Sequence, residues 1–149
     1  MNIFLFLKPK SEVEYLFSDM SVRQAMEKME YHRYTNMPVI SSDGKYSGSI
    51  SEGDILWYLK NNGINTLRQI ETVSIKEVSR YREYKSMGID YEMEDLIDLS
   101  IAQNFVPIVD SDGVFIGIVT RKDIINHLYN ETKEKNNVLS WSEFIIKYR

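Results

Sequence analysis

The chain has 149 residues, a formal net charge of −4 and no cysteine, which allows one ordinary domain or two small units sharing a core and excludes disulfides, thiolate metal sites and cysteine nucleophiles. With 43% hydrophobic and 27% charged residues a packed core is available, and the mild acidity argues against a protein built to grip a phosphate backbone, so no nucleic-acid partner is expected. The apolar run at residues 3–7 is stopped by Lys8 and Pro9, well short of the roughly 20 residues of a spanning helix. A cytoplasmic chain without a membrane partner is expected.

In chain order, a leading strand is expected near residues 12–17. Ser21-x-x-Gln24 then reads as a capping box opening a helix whose Val22, Ala25, Met26 and Met29 recur at i, i+3, i+4 and i+7. Tyr31-His32-Arg33-Tyr34 closes that helix. Pro38 opens a short strand, Asp43-Gly44 marks a hairpin turn and a second strand runs through Gly48. Ser51-x-x-Asp54 steps into a helix with Ile55, Leu56 and Leu59 on its inner stripe, ended by Asn61-Asn62-Gly63. Residues 64–78 form a linker too rich in Leu, Ile and Val to be loose.

The pattern then returns. A looser leading strand is expected at 84–89, a helix on Met93, Leu96, Ile97 and Ile101, a strand opening with Pro107, a turn at Asp112-Gly113, a strand through Gly117 and a Thr120-x-x-Asp123 step into a helix carrying Ile124, Ile125 and Leu128. MPVISSDGKYSGSISEGDI at 37–55 aligns with VPIVDSDGVFIGIVTRKDI at 106–124 at a constant offset of 69, so most of the chain is one unit written twice. The reading is an α+β fold of two β-α-β-β-α repeats, 1–63 and 79–130, joined by linker 64–78 and packed pseudosymmetrically. A polar linker and C-terminal amphipathic helix follow at 131–149. In that tail Ser140 and Glu143 form a box, and Trp141, Phe144, Ile145 and Tyr148 share one face that needs a surface on which to dock. A unit of about 60 residues is marginal alone, so the repeats should share a seam and leave clefts where they meet.

The proline-led strand, the Asp-Gly hairpin and the endings GSISEGD at 48–54 and GIVTRKD at 117–123 resemble the CBS domain, named for cystathionine β-synthase, and two in tandem resemble a Bateman module. The resemblance implies a regulatory homodimer with two clefts for adenosine-containing ligands such as AMP, ADP, ATP or S-adenosylmethionine; that the chain is not an enzyme is expected from the residues, which offer no cysteine nucleophile, serine elbow, Walker loop or acid/base pair. No required cofactor is expected, a signal would pass to a partner protein, and no metal is expected because His32 and His127, the two histidines, offer no metal-ligand spacing. Aspartates of the motif would hold ribose hydroxyls and the hydroxyl residues would meet phosphate, which carries over onto Asp54 with Ser51 and Asp123 with Thr120. The adenine pocket would fall near Asn36, Met37 and Pro38 and near Phe105, Val106 and Pro107.

The chemistry of those residue types agrees. A carboxylate accepts two vicinal hydroxyls at once, and a helix N-terminus favours an anion. Both steps also read as ordinary capping boxes, although boxes favour Glu or Gln at the third position and this chain uses Asp at both. Arg121 and Lys122 follow Thr120, whereas Glu52 and Gly53 follow Ser51. The expectation is therefore that the Thr120 cleft takes the more highly phosphorylated ligand and the Ser51 cleft a less charged one or none. Arg33 could reach a phosphate or simply sit favourably at a helix C-terminus. Arg80, Arg82, Lys85, Tyr81 and Tyr84 form a patch that could stack a base, bind a polyphosphate or lie on a mixed surface strand. A structural module with vestigial clefts is the alternative function, and a cyclic dinucleotide stays open as ligand.

Overall fold

The computed structural model describes residues 3–134 and Ile146; the expected box and apolar face of the C-terminal helix lie outside the described residues. In chain order the elements are β1 (Lys8–Pro9), β2 (Leu16–Phe17), α1 (Val22–His32), β3 (Asn36–Ile40), β4 (Tyr46–Ser51), α2 (Glu52–Asn61), β5 (Met87–Gly88), α3 (Met93–Ala102), β6 (Phe105–Val109), β7 (Phe115–Thr120) and α4 (Arg121–Glu134). They make two sheets, β2-β3-β4 and β1-β7-β6-β5. In each, a two-residue leading strand runs parallel to the proline-bearing strand, which pairs antiparallel with its hairpin partner.

Helix α1 begins where the capping box places it. The Ser21 Oγ accepts from the Gln24 N–H at 3.1 Å, and the Gln24 Oε1 accepts from the Ser21 N–H at 2.9 Å. Val22, Ala25 and Met29 face β3 and β4 in a core with Leu16, Met37, Val39, Ile50 and Ile55, and the linker closes it with Ile70, Ile75 and Val78. The second core gathers Met87, Leu96, Val106, Ile108, Val119 and Ile124 around Ile3. Ile3 is there because the first residues of the chain cross to the other unit: β1 pairs antiparallel with β7, Lys8 opposite Ile118 and Pro9 opposite Gly117. A Cβ added at Gly117 would lie 2.2 Å from the Lys8 carbonyl oxygen, so β1 can press against β7 there only because the residue is glycine.

Three details depart from the sequence reading. Pro38 and Pro107 are the third residues of their strands; the leading strands β2 and β5 reach only as far as Val39 and Ile108, so each proline sits beside an open edge where a missing N–H is tolerated. The leading strands are two residues long because a 3₁₀ turn at Lys10–Glu12 and irregular backbone before Met87 occupy the rest. Leu56, Ile101 and Ile125, expected on inner stripes, are 55%, 74% and 57% exposed. Each follows a core-facing or packed position by one step of about 100° around the helix, which turns it off the sheet.

The units meet at their hairpins. Lys45 and Val114, 69 residues apart, form a β-bridge. The Phe115 N–H donates to the Gly44 carbonyl at 3.0 Å, and the Tyr46 N–H donates to the Gly113 carbonyl at 3.2 Å. Each bond is the other's image at the repeat offset, as a twofold axis through the bridge requires. Gly44 and Gly113 hold φ of 84° and 81°, the left-handed turn geometry that glycine adopts without a Cβ clash. The Tyr46 and Phe115 rings stack across the axis with centroids 6.4 Å apart, and Val13, Ile40 and Phe115 form the buried seam.

Candidate ligand-binding cleft

The two halves enter their second helices by the same joint. The Glu52 N–H donates to the Thr35 carbonyl at 2.9 Å, and the Arg121 N–H donates to the Asn104 carbonyl at 2.9 Å. Beyond this joint they diverge. On the first side a cavity of about 300 Å³ is lined by Thr35, Asn36, Ser51, Glu52, Asp54, Tyr81, Arg82, Tyr84 and Asn104. It lies between the N-terminus of α2, the start of β3 and the irregular segment 79–86.

Asp54 is its most constrained group, 6% exposed. Its Oδ2 accepts from the Ser51 N–H at 2.9 Å, its Oδ1 accepts from the Tyr81 N–H at 3.0 Å, and its own N–H donates to the Ser51 Oγ at 3.0 Å. The capping reading and the ligand reading therefore coexist: the box is formed, and each carboxylate oxygen keeps a further lone pair. Asn36 carries a buried Oδ1 with no hydrogen-bond partner, a state that costs about 1–3 kcal/mol until a donor arrives. Met37 and Pro38 lie behind it, buried in β3.

Arg80 organises the far wall. Its Nε donates to the Ser49 carbonyl at 2.8 Å and its Nη1 to the carbonyls of Ile75 and Val78. Burial lowers its pKa, an effect countered by the nearby Asp54 carboxylate. With the backbone so clamped, Tyr81 stands 87% exposed with the Arg82 guanidinium 5.8 Å from its ring centroid. Tyr84 is held from both sides, its carbonyl accepting from the Tyr46 hydroxyl at 2.5 Å and its own hydroxyl from the Asn104 N–H at 3.2 Å. Burial pushes the Tyr46 hydroxyl well above its ordinary pKa.

On the second side Asp123 reproduces, among the described residues, the hydroxyl half of the box alone, its N–H donating to Thr120 Oγ1 at 3.2 Å. Arg121 turns away from the helix N-terminus, its Nε donating to the Ser100 carbonyl at 2.7 Å and its Nη2 to the Ile101 carbonyl at 3.2 Å, so it caps α3. Lys122 is exposed. Phe105, the counterpart of Asn36, is 7% exposed and packs edge-on against Tyr84 with centroids 4.9 Å apart; Val106 and Pro107 are buried behind it.

Arg33 lies elsewhere. It ends α1 in the left-handed conformation, φ 59°, and lines a larger groove of about 640 Å³ between α1 and α2 with Met26, Met29, Glu30, Leu56 and Leu59. Tyr81, Arg82 and Tyr84 of the aromatic and basic patch line the cavity of about 300 Å³ from irregular backbone, and Thr35, Glu52 and Asn104 join them as lining residues that residue types alone do not mark. The repeat offset is the available signal, since Thr35 and Asn104 are counterparts 69 residues apart and line the same cavity. Among the described residues no cluster of three or more His, Asp or Glu could hold a metal, and no helix is long and apolar enough to cross a membrane.

Two α+β repeats related by a pseudo-twofold axis, each presenting a hydroxyl and an aspartate at a helix N-terminus beside the junction, define a tandem-repeat module. The CBS domain profile matches residues 7–61 and 82–130, and the chain belongs to the CBS domain family. It is similar to the inosine-5'-monophosphate dehydrogenase of Nitrosopumilus maritimus, 28% identical over 79% of this chain and 23% of that one. It is also similar to an uncharacterized 17.7 kDa protein of Acidianus ambivalens, 28% identical over 74% of this chain and 63% of that one. The chain thus spans about a quarter and under two thirds of these relatives.

Among solved structures, CbpB in complex with c-di-AMP superposes with a TM-score of 0.80 at 20% identity, over 92% of this chain and 90% of that one. A CBS domain protein of Streptococcus pneumoniae TIGR4 gives 0.77 at 22% identity, over 85% and 86%. CBSX2 in complex with AMP gives 0.68 at 23%, over 88% and 98%. At such identities these likenesses show the fold.

Proposed function

We propose that the chain is a regulatory module that binds an adenosine-containing ligand at the junction of its repeats and signals through a partner protein, without catalysis. The observation that carries this reading is the cavity of about 300 Å³ lined by Ser51, Asp54 and Asn36, whose Oδ1 is buried without a hydrogen-bond partner. The size is at the small end of ligand sites, room for a single nucleotide. Asp54 accepts the ribose hydroxyls, Ser51 and the α2 N-terminus meet a phosphate, Asn36 with Met37 and Pro38 borders the base, and Tyr81 and Arg82 cover the ligand. CbpB and CBSX2, which share the fold, were solved with c-di-AMP and AMP, which supports an adenine ligand; S-adenosylmethionine belongs to the same chemical class.

The ligand acts by binding one relative arrangement of the repeats better than another. Segment 79–86 is the element through which it does so, because Tyr81 and Asp54 already share a hydrogen bond across the junction. A homodimer covers the apolar side chains of Leu56, Ile101 and Ile125 left on outer helix faces, and molar mass in solution measures it. Thermal unfolding with AMP, ATP, c-di-AMP and S-adenosylmethionine tests the function. A true ligand at 100 times its dissociation constant adds about 2.7 kcal/mol; no shift with any of the four returns the chain to a structural module, the reading that the fully formed Ser51–Asp54 cap favours.

A further inference from the structure

Resting on the reading above, we infer that the chain binds one ligand, not two: the Ser51 cleft is the site, and the Thr120 cleft is a closed joint. Four differences at the 69-residue offset carry this. First, the edges of the counterpart strands β4 and β7 are covered differently. At β7 the backbone of β1 pairs with Gly117 and Ile118 so closely that a Cβ at Gly117 would overlap the Lys8 carbonyl, whereas a Cβ at the counterpart Gly48 would meet nothing within 4 Å. At β4 the place of that strand is taken by one side chain, Arg80, reaching the Ser49 carbonyl, which holds the backbone off and leaves the cavity open.

Second, the residues that would lie over a ligand differ. Tyr81 and Arg82 line the first cavity; their counterparts are Glu12, an acid, and Val13, which is 9% exposed in the seam between the units. Third, Asn36 offers an unsatisfied acceptor where Phe105 offers a buried ring already packed on Tyr84. Fourth, Arg121, the residue whose charge favours the second cleft in sequence, spends its guanidinium on the carbonyls that end α3. Among the described residues, the cation lining the cavity is Arg82, over an aromatic ring that stacks a base face, and the ligand is a single adenine nucleotide bearing phosphate.

Calorimetric titration and native mass spectrometry of the full chain with AMP, ATP and c-di-AMP test this. One ligand per chain is expected. Tyr81→Ala and Arg82→Ala, both at exposed positions and so neutral for folding, weaken binding tenfold or more, while Asp123→Ala and Lys122→Ala stay within twofold of the parent. Two ligands per chain, or a tenfold loss in Asp123→Ala with Arg82→Ala unchanged, overturns the inference and leaves the sensor function standing. Failure of the parent protein to bind any of the three overturns the sensor function itself, and this inference with it.

Discussion

At the edge of β4 one guanidinium does what a whole strand does at the edge of β7. Ser49 and Ile118 are counterparts; the first is met by Arg80 and the second by the backbone of β1. A strand closes on its neighbour at ladder distance, about 4.8 Å, along its length. A long side chain fixes one point and leaves the rest of the backbone farther out. Two copies of one sequence pattern thus carry unlike edges, one met by a side chain and one by a strand, and the difference lies in the segments that precede the repeats.

The largest effect expected from disturbing this contrast comes at Gly117. Gly117→Ala drives a Cβ into the Lys8 carbonyl and should cost about 2–3 kcal/mol in chemical denaturation, with the first residues of the chain becoming sensitive to protease. Unchanged stability would show that β1 does not close the second edge. Asp54→Ala comes next: it removes the acceptor of two backbone N–H groups and should cost about 2 kcal/mol, against under 1 kcal/mol for Asp123→Ala. Equal losses would erase the asymmetry of the caps.

Arg121→Ala gives up two bonds to the end of α3 and should lower stability by about 1–2 kcal/mol with ligand affinity unchanged. An affinity loss without a stability loss would return that arginine to the cleft. A smaller effect than at Arg121 is expected for Tyr46→Phe, which loses the bond to the Tyr84 carbonyl, about 1 kcal/mol. Burial raises the folded pKa of the Tyr46 hydroxyl above its ordinary value of 10.0, so the unfolded chain ionises first. Stability attributable to the neutral hydroxyl is full below pH 10.0 and is lost above it, and the phenylalanine variant should flatten that alkaline decline in a pH series of melts.

Much of this was readable from residue types. The offset of 69 located both sheets, both hairpins and both helix entries, because turns and caps are local and each has its own chemistry. The buried linker was legible too, as Ile70, Ile75 and Val78 could not be left in water. The unlike cover of the β4 and β7 edges was not. Arg80 and Arg121 look alike as charges, and both are used up on backbone carbonyls, acceptors that every residue carries and that leave no mark in sequence. Periodicity marked Leu56, Ile101 and Ile125 as apolar but could not say whether a sheet or another surface would cover them.

The crossing of the first residues onto the second sheet has a consequence for assembly during synthesis. The first core needs Ile70, Ile75 and Val78, which are made after it, and the second needs Ile3 and β1, which are made first. Each half is finished by a piece of chain belonging to the other's side of the sequence. No single cut between the repeats separates them cleanly: a break near residue 65 would strand β1 on one fragment and the closing isoleucines on the other. Neither fragment would hold a complete core, and the two would regain structure only by finding each other.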